Sequence, residues 1–145
     1  MRLSARSEYG LLALIHLSLA GDAPVPTREL AEARGIPMAF LEQLLADLRR
    51  AGLIRSVRGP RGGFTLARPA GEITALEIVE ALEGSIAPSV CAPDACGRED
   101  GCAAATVWGN VSSAVREALG RFTLVNLAEE QTRLDRAPLT CTTRR

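Results

Sequence analysis

Residues 35–67 read GIPMAFLEQLLADLRRAGLIRSVRGPRGGFTLA, and this stretch decides the fold. Pro37 suits a first helical turn, after which Phe40, Leu41, Leu44, Leu45 and Leu48 follow the i, i+1, i+4, i+5, i+8 spacing of one buried stripe. Gly52 closes this helix. Its opposite face carries Met38, Ala39, Glu42, Gln43, Asp47 and Arg50, so the N-terminal half offers hydrogen-bonding groups outward and forms a candidate recognition surface. Leu53–Val57 and Phe64–Ala67 are short strand-like runs joined by Arg58-Gly59-Pro60-Arg61-Gly62-Gly63, a turn whose glycines relieve backbone strain. The expectation is a helix followed by a hairpin with an arginine tip.

Upstream, Tyr9–Ala20 is apolar on nearly every side, the pattern of a helix buried against several neighbours, and Gly21 supplies its stop. Pro24 and Pro26 make a stiff connector, and Thr27 is a fair N-cap for a two-turn helix, Arg28–Arg34, ended by Gly35. Three short helices and an arginine-tipped hairpin make a winged helix-turn-helix by pattern. In that fold the third helix enters the major groove, while the wing touches backbone or minor groove.

Downstream, Thr74 with Glu77 is a capping box, and Leu76, Ile78, Val79 and Leu82 give the next helix its apolar side before Gly84. Residues 85–101 form a loop rich in Pro, Ala, Gly and acids, holding Cys91 and Cys96 with Cys102 at its far edge. Val107, Trp108, Val111, Val115, Leu119 and Phe122 then recur at helical spacing, predicting a helix of about five turns of the kind that pairs subunits. Thr123 can cap a last short helix through Glu130. The expected fold is therefore mainly α: a DNA-binding region over 1–70, a connecting helix and cysteine loop over 71–101, dimerisation and terminal helices over 102–130, and a disordered tail over 131–145.

The 145 residues are one modest domain's worth of chain, long enough to bury a core without disulfide support. Composition excludes wholesale disorder and collagen-like repeats. The longest apolar run, Leu11–Ala20, falls short of a membrane span and is broken by His16 and Ser18. Arg2 and Arg6 ahead of it imitate a signal peptide, but cleavage there would remove the first helix, so the expected location is the cytoplasm. The formal net charge is zero, yet the charges are segregated. Arg49, Arg50, Arg55, Arg58, Arg61 and Arg68 form a run with no acid, whereas Glu72–Asp100 holds seven acids and only Arg98. Local charge decides groove binding, so double-stranded DNA is the expected partner, through Met38, Ala39, Glu42, Gln43, Arg50, Arg58 and Arg61. With one His and no glycine-rich phosphate loop, no constellation of nucleophile, base and orienting group exists for an enzyme.

Cys91, Cys96 and Cys102 put three thiols within twelve residues, with Cys141 alone in the tail. Three readings compete: disulfides, which leave one thiol of the three unpaired; structural zinc, which lacks a fourth ligand; and an iron-sulphur cluster, which accepts irregular thiolate intervals.

Several motifs together are highly specific: Met1-Arg2-Leu3-Ser4 with Tyr9-Gly10, Gly35-Ile36, Phe40-Leu41-Glu42-Gln43-Leu44, Gly52-Leu53-Ile54, Ser56-Val57-Arg58-Gly59-Pro60-Arg61-Gly62-Gly63-Phe64, and the three cysteines before Trp108. Over about residues 1–130 they resemble the Rrf-type family of bacterial winged-helix regulators, which includes IscR-, NsrR-, RirA- and CymR-like members. The resemblance implies a homodimer on a near-palindromic operator, with Glu42 and Gln43 facing base edges and Arg58 entering the minor groove. It also implies a 2Fe-2S or 4Fe-4S cluster that senses iron-sulphur status, redox poise or nitric oxide. IscR-like members use a His three residues after the third cysteine, where this chain has Ala105. NsrR-like members use an acid donated by the partner subunit at the position of Glu8, so the implied metal ligands are Cys91, Cys96, Cys102 and Glu8. Asp94, Glu99, Asp100 or a small thiol stay open as the fourth ligand, and no contact with RNA polymerase is assigned. The alternatives are a cluster-free, CymR-like regulator controlled by a protein partner, and a zinc or thiol-oxidation switch.

Overall fold

A computed structural model describes residues 4–86 and 102–136. Cys91, Cys96 and Cys141, and the tail beyond 136, lie outside the described residues. The element order is α1 (Ala5–Ala20), α2 (Thr27–Arg34), α3 (Met38–Arg50), β1 (Ile54–Val57), β2 (Gly63–Leu66), a 3-10 turn (Ala70–Glu72), α4 (Ala75–Glu83), α5 (Ala103–Gly120) and α6 (Leu124–Arg136). This is a mainly helical winged helix-turn-helix, as the pattern predicts.

Helix α1 is the hub, packing against α4, α6, α2, α3 and β2. Its all-round apolar character now has a cause: Ala13, Leu14 and Leu17 are buried, and Leu11 and Ile15 pack half-buried on the same core. Ser4 caps its start by accepting from the Arg6 backbone N–H at 3.1 Å, and Gly21 ends it at φ 64°. Gly10 is required by a close crossing, because a Cβ there would lie 2.2 Å from Leu82 Cδ1 on α4.

The α3 stripe is buried through Leu41, Leu44, Leu45 and Leu48. Phe40 departs from it: the ring is half-buried at the edge, against Tyr9 in an edge-to-face pair with centroids 5.7 Å apart. Thr27 is not the cap of α2 but its first residue; Pro26 holds the N-cap position, with no side-chain hydrogen bond to the helix. A proline with φ fixed near the helical value can stand at a helix entrance without one.

β1 and β2 pair antiparallel, with Ile54 opposite Leu66 and Val57 opposite Gly63. A third segment joins them. Val25, in the connector before α2, exchanges backbone hydrogen bonds with Phe64 at 3.0 and 2.9 Å. The approach is so close that a Cβ on Gly63 would sit 2.2 Å from the Val25 carbonyl oxygen.

The capping box of α4 forms as expected, with Thr74 and Glu77 each satisfying the other's backbone N–H. Burial opposes ionisation of Glu77, but hydrogen bonds from Arg68 and the Thr74 backbone outweigh it and hold the carboxyl below its ordinary value. Backbone bonds Ala75 N–H to Phe122 O (2.8 Å) and Leu124 N–H to Ile73 O (2.9 Å) tie the start of α6 to the start of α4. α6 runs to Arg136, six residues beyond the expected end at Glu130. Leu124 and Ala128 anchor it, and the polar pairs Glu130–Arg133 and Gln131–Asp135 carry the last turns. α5 is different: none of its 18 residues is buried. It rests on α4, where Arg116 pairs with Glu80, and exposes Val107, Trp108 and Val111.

Candidate nucleic-acid interface and metal ligands

The outward face of α3 starts at Pro37 with Met38, Ala39, Glu42 and Gln43, all exposed. Among the described residues neither the Glu42 nor the Gln43 side chain has a hydrogen-bond partner. Both are chemically suited to base edges: Gln pairs with adenine in a bidentate way, and a carboxylate accepts from the cytosine amino group. The free N–H groups of the α3 N-terminus add a positive end that favours phosphate alongside.

Asp47 does not belong with them. Its side chain is only 23% exposed, because Oδ2 accepts from Arg6 Nη2 at 2.5 Å and Oδ1 from Arg50 Nη1 at 2.8 Å. The arginine run is likewise less unopposed than its sequence suggests. Acids outside the run reach in, Asp47 to Arg50 and Glu77 to Arg68, and Arg55 donates to Thr65 Oγ1 at 3.1 Å. Arg49, Arg58 and Arg61 are exposed and without an ion-pair partner among the described residues.

Arg58 and Arg61 stand on the tip of the wing because the turn between them is tight. Gly59 sits at φ 119°, Gly62 N–H donates to Gly59 O at 2.9 Å, and a Cβ on Gly62 would meet the Val57 carbonyl oxygen at 2.3 Å. Two guanidinium groups are thereby carried on a tight turn, and an arginine inserted into a narrow minor groove is electrostatically favoured.

Two of the four expected metal ligands are described. Glu8 lies in the first turn of α1, exposed and with no side-chain partner among the described residues. Cys102 is a free, half-buried thiol at the N-cap position of α5. Among the described residues no three His, Cys, Asp or Glu side chains converge on one metal position. Cys91 and Cys96 lie outside that set.

Two polar features escaped the sequence reading. Arg6 spans to Asp47 on α3 and to the Leu82 carbonyl on α4. Ser4 and Ser7 both donate to Glu83 Oε1, and these hydroxyls hold its carboxyl below the ordinary value. Each contact joins residues more than forty positions apart, so no local pattern announces it. His16, which interrupts the apolar run of α1, is half-buried and its Nδ1 accepts from Arg34 Nε at 3.2 Å. Burial first, and the Arg34 charge second, push its pKa below 6.5.

The family model Rrf2, an iron-dependent transcriptional regulator, matches residues 3–130. The HTH-type transcriptional regulator IscR of Xenorhabdus nematophila is 35% identical over 137 residues, spanning 93% of this chain and 84% of that protein. Among solved structures, T. potens IscR superposes with a TM-score of 0.78 at 32% identity, covering 95% of this chain and 93% of the other. CymR, the global cysteine regulator of B. subtilis, superposes with a TM-score of 0.75 at 34% identity, covering 90% and 98%.

Proposed function

The chain belongs to the Rrf2 family of transcriptional regulators, and on that premise we propose that it is a homodimeric, cytoplasmic regulator whose affinity for a near-palindromic operator is set by an iron-sulphur cluster. The observation that carries the DNA-binding part is the pairing of Glu42 and Gln43, exposed and unpartnered among the described residues, with the arginine-tipped wing. Glu42 and Gln43 read bases in the major groove. Arg58 and Arg61 reach the backbone or minor groove beside it, and Met38, Ala39 and Arg50 complete the contact surface.

The donor set fits a cluster. Cys91, Cys96 and Cys102 supply three thiolates from one protomer, and the Glu8 carboxylate, which has no partner among the described residues of its own chain, is available to the other protomer. When bound, such a group supplies a redox- and ligand-sensitive centre with one hard oxygen corner that is more easily lost than a thiolate. The protein's part is mechanical. Glu8 lies on the helix that packs against α3, and Cys102 opens the apolar helix offered to the partner. A cluster held by Glu8 of one protomer and the cysteines of the other would fix the separation of the two α3 helices, and its loss would free that separation.

The test is anaerobic purification with an absorption spectrum and iron, sulphide and zinc assays on one sample. Visible charge-transfer bands with matched iron and sulphide are expected. Cys96→Ala should abolish them, and Glu8→Ala should weaken both cluster retention and the effect of the cluster on operator affinity. Unchanged behaviour of Glu8→Ala rules out the cross-subunit ligand. The likeness to CymR favours a second reading, a cluster-free regulator under the control of a protein partner, or a zinc or thiol switch on the same cysteines. Colourless protein that also resists reconstitution selects it.

A further inference from the structure

One guanidinium joins three helices. Arg6, in the first turn of α1, donates through Nε to the Leu82 carbonyl in the last turn of α4 at 3.3 Å, and through Nη2 to Asp47 Oδ2 on α3 at 2.5 Å. The second oxygen of Asp47 holds Arg50 at 2.8 Å. Ser4 and Ser7, on either side of Arg6, clamp Glu83 next to Leu82, the Ser7 contact being 2.7 Å, so the α1 end of this strut is itself fixed. Asp47 follows Gln43 by one helical turn and precedes Arg50 by three residues, which places the strut along the flank of the exposed face that carries the base-reading groups.

We propose that Arg6 and Asp47 are positioning residues for DNA recognition: they set the roll of α3 about its axis and aim Arg50. The inference rests on α3 being the base-reading helix. Leu41, Leu44, Leu45 and Leu48 fix how deeply α3 sits, but an apolar stripe resists rolling only through packing, whereas a two-ended polar strut at its flank resists it directly. The fork geometry is what allows it, since an arginine presents donors in two directions at fixed angles. The ion pair is partly open to water, with side-chain exposures of 35% and 23%. Pairs of that kind contribute little to stability. Its consequence is geometric, because bidentate base contacts need their donors held to within about 10–20°. Arg50, with one donor committed to Asp47, keeps the remaining guanidinium N–H groups for phosphate.

The probe is the duplex that the wild-type protein enriches from a random-sequence library, compared with a random duplex of equal length, both read by fluorescence anisotropy. Arg6→Gln and Asp47→Asn are each expected to lower the ratio of specific to non-specific affinity about tenfold, the worth of one good base contact. The double variant should be no worse than either single, as for residues acting through one contact. Non-specific affinity should hold within about threefold for Arg6→Gln and should not fall for Asp47→Asn, which removes a negative charge beside the DNA. Arg6→Lys, which keeps the charge without the fork, should give an intermediate ratio. Thermal melting of every variant shows whether the fold is intact. An unchanged ratio in the single variants, multiplying effects in the double, or equal losses of both affinities in step with melting overturns the assignment. If the wild-type protein enriches no consensus at all, the reading of α3 falls and the inference with it.

Discussion

Trp108 is the only tryptophan of the chain and is 48% exposed on a helix that buries none of its own residues. Val107 and Val111 beside it are 57% and 41% exposed. In a two-fold dimer through α5 each ring would be covered by the partner. A tryptophan presents about 250 Å² of side-chain surface, so about 120 Å² per ring would leave water. At about 25 cal/mol per Å² this is about 3 kcal/mol per protomer, and both copies of a symmetric interface count. Ordering of side chains at an interface takes back part of the resulting ~6 kcal/mol. Trp108→Ala is therefore expected to weaken dimerisation by about 3–4 kcal/mol, a rise in Kd of about 100- to 1,000-fold. Sedimentation equilibrium from nanomolar to micromolar concentration measures it. The wild-type chain provides a second reading, since emission from its single tryptophan should shift to the red as dilution exposes the ring. A Trp108→Ala protein that stays dimeric at the same concentrations as the wild type, together with wild-type emission that ignores dissociation, refutes an interface through this face.

Three further outcomes follow from named contacts. Gly10→Val should cost about 2 kcal/mol in urea unfolding, because the added carbon strikes Leu82, and Leu82→Ala in the same chain should recover part of the loss, whereas simple additivity of the two would contradict the close crossing. Arg58→Ala should weaken operator binding, lower the slope of log affinity against log salt by about one, and leave visible absorption untouched; an unchanged slope argues against a phosphate or groove contact. For His16 the folded pKa lies below the unfolded value of 6.5, so the folded protein favours the neutral ring. Its contribution to stability is complete above pH 6.5 and is lost as pH falls through the folded pKa. Thermal melting of His16→Gln should therefore decline less than wild type between pH 7 and pH 5, and parallel curves would remove His16 as the cause.

What could be read from the chain was whatever a period or a local cap encodes. The Leu41–Leu48 stripe, the Thr74–Glu77 box and the glycines of the wing each signal within a few residues, and each forms in the structure. The missing features are non-local or aperiodic. Val25 contributes a single bridge between two prolines, too short to leave an alternation. The last turns of α6 carry Gln131, Thr132, Arg133 and Asp135, whose helical support is pairwise hydrogen bonding rather than an apolar stripe. Asp47 looks solvent-facing until Arg6, forty-one positions away, is folded against it. At the candidate site, residue types and exposure were legible for Glu42, Gln43, Arg58 and Glu8, while the ion pairs of Arg50 and Arg68 were not, since their acids come from outside the basic run.

The Val25 bridge divides the wing into two parts that can change independently. At the root, backbone bonds to Phe64 and the crowded Gly63 lock the hairpin to the connector that leads into α2, so the wing turns with the helical body as one piece. On the proposed reading, the phase between what α3 would read in one groove and what the arginines would touch in the next is thus a property of the main chain. Beyond Val57 the backbone hydrogen bond of the tip among the described residues, Gly62 N–H to Gly59 O, stays within its own turn. Lengthening or recolouring that tip would then alter how far the protein reaches along the duplex while its angular setting stays the same. Altering Gly63 changes the setting itself. A lineage can therefore retune operator preference at the tip by small steps, whereas a new spacing between the two contacts requires the root to be rebuilt.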